Sequence, residues 1–205
     1  MKKKLLARIN SKAWLTKKEE LAIFELPPKD AKQLLLKYVE YRKLCNKAEM
    51  KIFDLPVDVA KEILLKYIKQ NYLCDDAEVA IFTLPAEDAK QLLLWYVAEN
   101  DTSLCLEAEM KIFSLPPEIA RDVLIQYTKN RALFDEVEVK IFDLPPAIAK
   151  EIALTYVENY YFGNEAEMKM LDLPSDDAKE VLQKYCNKYE LCKEAKEKAK
   201  ELGFI

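Results

Sequence analysis

Apolar residues recur along this chain in two stripes separated by a Leu-Pro pair, and the arrangement repeats six times. In the second repeat, Ala48, Ile52 and Leu55 have the spacing of one helical face. After Pro56, a longer stripe consists of Ala60, Ile63, Leu64, Tyr67 and Ile68. Proline disfavours helical angles at the residue before it, and its fixed φ suits the start of a new helix. Each repeat is therefore predicted to be a short helix, a proline turn and a longer helix.

The period of the repeat predicts a stacked array. The spacings between successive Leu-Pro pairs are 29, 29, 31, 29 and 29 residues, with the two extra residues near Asn100–Ser103. The pairs are Leu26-Pro27, Leu55-Pro56, Leu84-Pro85, Leu115-Pro116, Leu144-Pro145 and Leu173-Pro174. A unit of this length buries its apolar face against its neighbours. Leu65 lies off the main stripe, so we expect the long helices to be sandwiched, whereas Gln183 at the equivalent position marks the end of the stack.

The predicted fold is all-α: an α-solenoid of six helix–proline turn–helix repeats of about 29 residues with a capping helix at the N-terminus and a capping half-repeat at the C-terminus. We assign residues 1–15 to an N-terminal cap helix, 16–190 to the repeats and 191–205 to a C-terminal half-repeat, together one domain. Gly203 is the predicted stop of the last helix. A leucine-rich repeat of strand and helix has a similar period, and Met50–Leu55 could alternate as a strand. The scarcity of glycine, with two residues in the chain, favours the all-helical alternative.

The composition restricts the function more than it defines it. Histidine, the commonest general base and metal ligand, is absent, and the net charge of −4 argues against nucleic acid as a partner. No apolar run is long enough to cross a membrane, and the run after Lys2–Lys4 ends at Arg8, too early for a signal peptide. We expect a cytoplasmic protein without catalytic residues, cofactor or metal, and therefore not an enzyme.

Three polar ladders follow the repeat, and each permits two interpretations. The ladder glutamates are expected to cap the short helices; in the second repeat, Asn46 is the predicted N-cap and Glu49 reaches back to it. In the first repeat, Thr16 and Glu19 form a shifted version of this capping box. An acidic stripe that binds a basic partner is the alternative. The tyrosines are expected to be buried with hydrogen-bonded hydroxyls rather than to form a base-stacking platform. The cations are expected to be solvated surface rather than a basic stripe. The ladders are Glu20, Glu49, Glu78, Glu109, Glu138 and Glu167; Tyr38, Tyr67, Tyr96, Tyr127, Tyr156 and Tyr185; and Lys32, Lys61, Lys90, Arg121, Lys150 and Lys179.

Four of the five cysteines occupy one position of the repeat: Cys45, Cys74, Cys105 and Cys192. Phe134 and Gly163 hold this position in the other repeats, which favours a packing role. Equivalent positions in stacked repeats lie about 10 Å apart, beyond disulfide reach. We expect buried, reduced thiols, with redox chemistry or a metal site as weaker alternatives.

One position varies while its neighbours are constant. It directly precedes the ladder tyrosine and holds Lys37, Lys66, Trp95, Gln126, Thr155 and Lys184. We call these six residues the variable slot and predict that they form a partner-binding face, with Trp95 as an exposed aromatic anchor, although packing of Trp95 against the next helix is an equal alternative. The aromatic run Tyr160–Gly163 is a second candidate contact site.

The pattern (Asn/Asp)-x-Ala-Glu-x-x-Ile-Phe-x-Leu-Pro-x-x-x-Ala-Lys-x-x-Leu-x-x-Tyr resembles the helical hairpins of tetratricopeptide and HEAT-type solenoids in architecture only. It lacks the tryptophan-leucine-glycine signature of the former, and its period is shorter than either. Because such solenoids act as protein-binding scaffolds, the resemblance implies binding of an unknown protein or peptide. A nucleic-acid-binding helical array and a structural or self-assembly role are the alternatives.

Overall fold

A computed structural model describes residues 1–99 and 103–205 of the chain. Within these ranges the protein has fourteen α-helices, one 3₁₀ turn and no β-strand. The all-α prediction is therefore confirmed, and the strand-and-helix alternative is excluded for the segments it concerned, since α4 covers Asn46–Ile52. The predicted insertion loop falls mostly on residues 100–102, outside the described residues.

The chain divides into two compact units, Met1–Cys105 and Leu106–Ile205. The helices of unit 1 are α1 (Lys2–Asn10), α2 (Lys17–Ile23), α3 (Pro28–Tyr38), α4 (Asn46–Ile52), α5 (Val57–Tyr67), α6 (Asp75–Ala80) and α7 (Ala86–Glu99), with the 3₁₀ turn Ile81–Thr83 after α6. Short helices contact short helices (α2 with α4, α4 with α6), and long helices contact long helices (α3 with α5, α5 with α7). Unit 1 is therefore a two-layered stack of helical hairpins, and α1 covers the first repeat by packing on α2 and α3, as predicted.

Unit 2 has the same construction. Its helices are α8 (Leu106–Ile112), α9 (Pro117–Thr128), α10 (Asp135–Ile141), α11 (Pro146–Tyr156), α12 (Asn164–Met170), α13 (Ser175–Cys186) and α14 (Lys193–Glu201). Helices α9, α11 and α13 pack in sequence, as do α8, α10, α12 and α14. Gly203 has φ of +68°, and the amide of Phe204 donates to Ala199 O at 2.9 Å, so this glycine ends α14 as predicted. The assignment of the whole chain to one domain stays a prediction.

Burial follows the two apolar stripes of each repeat. Ala60, Ile63 and Leu64 of α5 are at most 1% exposed, and burial of one leucine side chain stabilises the fold by roughly 1.5–3 kcal/mol. Leu65 is half-buried because α5 is flanked by both α3 and α7. Gln183 at the equivalent position of the last repeat is exposed. The predicted sandwiching of the long helices is therefore confirmed within each unit.

The two connections of the hairpin have different origins. Between the helices of one repeat, Pro56 has the N-cap position of α5, and its carbonyl accepts from the amide of Ala60 at 2.9 Å. Between repeats, the N-cap of α4 is Cys45 and not Asn46, and its side chain makes no capping bond. Cys74, Phe134 and Gly163 are the N-caps of α6, α10 and α12 in the same way. The predicted capping box forms in α2, between Thr16 and Glu19.

Candidate functional site

The glutamate ladder lies inside the protein. The six side chains are between 0% and 4% exposed, so neither helix capping nor an acidic surface stripe describes them, and both interpretations are wrong. Glu49 shows the arrangement: its Oε1 accepts from the hydroxyl of Tyr67 at 2.6 Å, and its Oε2 accepts from the amide of Cys74 at 2.8 Å. Tyr67 belongs to the same repeat and Cys74 begins the next one. One carboxylate therefore links two helices of a hairpin to the following hairpin.

We call this arrangement the glutamate–tyrosine staple. It recurs in each repeat as Glu20 with Tyr38 and the Cys45 amide, Glu78 with Tyr96 and the Cys105 amide, Glu109 with Tyr127 and the Phe134 amide, Glu138 with Tyr156 and the Gly163 amide, and Glu167 with Tyr185 and the Cys192 amide. The amide that bonds to the carboxylate belongs to the N-cap residue of the next short helix. Because the contact uses backbone rather than side chain, the cysteine position tolerates phenylalanine and glycine.

The tyrosines are buried and hydrogen-bonded, as predicted. The Tyr67 hydroxyl donates to Glu49 and also accepts from the amide of Leu44 at 3.3 Å, which ties the long helix to the start of its own repeat. Burial raises the pKa of Tyr38 to about 12 and raises the pKa of Tyr67 further. The phenols therefore remain neutral donors at physiological pH.

Burial also raises the pKa of the Glu78 and Glu138 carboxyls, while the bonds from the next repeat's amide and from the tyrosine lower it. A buried carboxylate is stable in a protein when its oxygens accept hydrogen bonds, and each staple supplies two. The staples therefore join each hairpin to the next one. Their polar groups form hydrogen bonds with one another and do not face solvent.

Four members of the cation ladder, Lys32, Lys61, Arg121 and Lys150, pair with the following long helix, which corrects the prediction of solvated surface for them. Lys179 in the last repeat is exposed, as predicted. Lys61 bonds to Asp88 of the next repeat at 2.6 Å, and both side chains are about one quarter exposed. Lys150 bonds to Asp177 at 3.0 Å, and its hydrogen bond to Glu180 raises the pKa of the lysine. Each pairing brings an acidic side chain of the following long helix against the cation, so these charges do not form a basic stripe.

The variable slot is half-buried in all six repeats. Lys66 lies 3.3 Å from Glu40, and the Lys69 ammonium is 5.7 Å from the centre of the Trp95 ring. In unit 2, Lys184 lies 2.8 Å from Glu158, and its hydrogen bond lowers the pKa of that carboxyl. Trp95 is half-buried, between the exposed anchor and the packed side chain that the sequence left as equal alternatives. The charged partners of the slot, Glu40 and Glu158, lie in the turns that follow the preceding long helices.

The cysteines are free thiols and less enclosed than predicted. The four at the N-cap position are half-buried, Phe134 at this position is 43% exposed, and Cys186 is exposed. Burial raises the pKa of Cys74 to about 11, which keeps the thiol protonated and unreactive at neutral pH. Among the described residues, no cluster of three potential metal-ligating side chains is found.

The segments that connect one repeat to the next carry exposed aromatic residues. In unit 1 these are Trp14, 61% exposed, Tyr41, 39%, and Tyr72, 52%. The Arg42 guanidinium stacks on Trp14 with 4.3 Å to the ring centre, and the Lys12 ammonium lies 5.2 Å from the centre of the Tyr41 ring. We call this surface the turn edge of unit 1 and define it as residues 11–18, 40–47 and 69–72. The sequence shows aromatic residues next to lysines at these positions, but the sequence pattern did not predict that they share one surface.

In unit 2, the aromatic run Tyr160–Gly163 is divided between core and surface. Phe162 is buried and stacks between Tyr156 and Tyr185, with ring centres 5.0 and 5.9 Å apart. Tyr161 is 68% exposed and borders an open groove of about 550 Å³. The groove is lined by Asp135, Glu136, Tyr161, Gly163, Asn164, Glu165 and Ala166. Of the aromatic side chains in this run, Tyr161 is exposed, beside acidic residues, and Phe162 is part of the core; a contact role for the run stays a prediction.

Comparison with known proteins does not assign the chain to a family. No family model, no curated protein and no solved structure matches it. Among the described residues, no helix has the length and apolar character that spanning a bilayer requires. The geometry of the chain's own residues is therefore the basis for a functional proposal.

Proposed function

We propose that this protein is a repeat scaffold that binds a protein or peptide and has no catalytic activity of its own. The observation that carries the proposal is the contrast between a constant interior and a changing surface. The six staples use the same residue types with the same connections, whereas the variable slot changes from lysine to tryptophan, glutamine and threonine. Stacked hairpins with exchangeable surface residues suit recognition of an extended partner.

The polar groups of the interior support a binding role rather than catalysis. Each ladder carboxylate accepts from a tyrosine and a backbone amide, so these groups are bonded to one another and not presented to a substrate. Trp95 is half-buried and so leaves part of its ring at the surface, and tryptophan is a residue type enriched at protein interfaces. The half-buried Lys66 adds a cation that can complement an acidic group of a partner. The free thiols are consistent with the cytoplasmic location that we propose.

The proposal is tested by selecting ligands from a phage-displayed peptide library and measuring their affinity for slot variants. Trp95→Ala and Lys66→Ala should each lower the affinity for a selected peptide by about tenfold, because truncation of an interface anchor typically reduces the binding free energy by more than about 1 kcal/mol. Lys51→Ala, on the exposed face of α4, is the matched control and should leave the affinity unchanged. Circular dichroism should show that all three variants remain folded. Peptides that bind the slot variants and the control equally well would refute the assignment of the slot.

A further inference from the structure

Charge is unevenly distributed along this acidic protein. Residues 1–47 contain thirteen Lys and Arg against five Asp and Glu, whereas residues 48–205 contain nineteen against thirty-one. The net charge of −4 therefore conceals a basic region at the start of unit 1. An expectation about partners that rests on total charge does not apply to this region, because attraction to a partner depends on the local surface charge.

The basic region coincides with the exposed aromatic rings of the turn edge of unit 1. Six lysines of this edge are exposed: Lys12, Lys17, Lys18, Lys43, Lys47 and Lys69. Successive turn segments are also joined, since Arg42 stacks on Trp14 and donates through Nη2 to the carbonyl of Lys12 at 2.9 Å. The segments around residues 12–14 and 41–43 consequently form one continuous surface of cations and aromatic rings.

The lysines occupy positions that are unfavourable for the helices themselves. Lys17 and Lys18 begin α2, and Lys47 is the second residue of α4, although the positive end of the helix dipole favours acidic residues there. Other repeats follow the rule: α6 begins with Asp75 and Asp76. The first turns of α2 and α4 also contain acidic residues, Glu19 and Glu49, so the preference is broken only at the leading positions of these two helices. Such a local departure in two adjacent repeats is typical of a functional surface.

We propose that the turn edge of unit 1 binds an acidic peptide segment that also carries apolar side chains. The inference deepens the proposed function, on which it rests, by naming the chemistry of the partner and a second contact surface. The lysines and Arg42 complement carboxylates, and the exposed parts of Trp14, Tyr41 and Tyr72 accept the apolar side chains. An acidic peptide suits this surface better than a single-stranded nucleic acid, because cations already cover one face of the Trp14 and Tyr41 rings, where bases would stack.

The test uses the full chain and fluorescence anisotropy with three labelled probes: a peptide of glutamate with interspersed leucine, the same peptide with lysine in place of glutamate, and oligothymidylate. The glutamate peptide should bind, and its affinity should fall with added salt because the contacts are exposed ion pairs. The lysine peptide should not bind. Trp14→Ala should weaken binding of the glutamate peptide by about tenfold.

A matched pair of charge reversals locates the site. Lys43→Glu combined with Lys47→Glu should lower the affinity for the glutamate peptide by about tenfold. Lys29→Glu combined with Lys51→Glu changes the net charge equally at exposed positions on the proline-turn side of the hairpins and should change the affinity less than twofold. Equal losses in the two double variants, or no binding by the parent protein, would overturn the inference. Circular dichroism of both variants verifies that they fold.

Two further outcomes distinguish this inference from the proposed function. Tighter binding of oligothymidylate than of the glutamate peptide, lost with Lys43→Glu and Lys47→Glu, would replace the peptide by a single-stranded nucleic acid and overturn the inference. Peptide binding that is lost with Lys66→Ala and Trp95→Ala but not with the turn-edge variants would also overturn it. In that case the proposed function would stand on the variable slot alone.

Discussion

Removal of a single hydroxyl group tests whether the staples hold the hairpins together. Tyr67→Phe keeps the ring, which is 0% exposed, and deletes only the oxygen that donates to Glu49 and accepts from the amide of Leu44. Glu49 is likewise 0% exposed and retains its bond from the amide of Cys74. The substitution therefore leaves one carboxylate oxygen and one amide without their partner in a site closed to water.

The expected loss of stability follows from these two bonds. A hydrogen bond to a charged group contributes about 1.5–3 kcal/mol, and a buried donor left without a partner costs about 1–3 kcal/mol. Relaxation around the site reduces the sum, so we expect Tyr67→Phe to lower the free energy of unfolding by about 2–4 kcal/mol. Tyr72→Phe is the matched control, because Tyr72 is 52% exposed, and its effect should stay within about 0.5 kcal/mol.

The assay is equilibrium unfolding in urea, followed by circular dichroism and by tryptophan fluorescence. If the two transitions coincide, unfolding is two-state and a single unfolding free energy describes it. A stacked array does not always unfold in this cooperative way, so the comparison is needed. A double-mutant cycle with Glu49→Gln should give a coupling energy of about 0.5–3 kcal/mol, since the two side chains share a bond. If Tyr67→Phe lowers the free energy of unfolding no more than Tyr72→Phe does, the staples do not stabilise the stack.

Three further outcomes are expected from the structure. Leu64→Ala should cost about 2–5 kcal/mol in urea unfolding because Leu64 is 1% exposed, and half-buried Leu65→Ala should cost clearly less; the reverse order would invert the assignment of faces. Gly203→Ala should cost about 1 kcal/mol because φ is +68°, whereas Gly163→Ala, with φ of −64°, should be tolerated; equal effects on the melting temperature would contradict this. Burial raises the pKa of Glu78 above 4.5 in the folded state. The protonated carboxyl therefore contributes stability below pH 4.5, and this contribution is lost as the pH rises through the pKa of the folded state. Glu78→Gln should remove the corresponding fall in the free energy of unfolding, and identical slopes of stability against pH for both proteins would refute it.

The architecture was predictable because the same apolar spacing and the same Leu-Pro pair recur in six repeats, so each repeat supports the structure predicted for the others. The helix periodicity, the Leu-Pro punctuation and the change from Leu65 to Gln183 each follow from local geometry or from nearest-neighbour stacking. The role of Glu49 was not predictable in this way. A glutamate three residues after an asparagine fits a capping box, and the competing partners, the Tyr67 hydroxyl and the Cys74 amide, lie 18 and 25 residues away.

The surface shows the same limit. The sequence predicted a partner-binding face at the variable slot, but its residues are half-buried. Lys66, for example, lies 3.3 Å from Glu40, which belongs to the turn after the preceding long helix. Likewise, Arg42 and Trp14 are far apart in sequence and meet because consecutive turns are stacked.

The sequence by itself determined the helices, their turns and the order in which they stack, because these depend on residues within one repeat and on a constant period. Only the tertiary structure decided which polar side chains face inward and which cations and rings adjoin at the turn edge of unit 1. Those outcomes depend on atoms brought together from different repeats, where burial and hydrogen bonding outweigh the local preference of each residue.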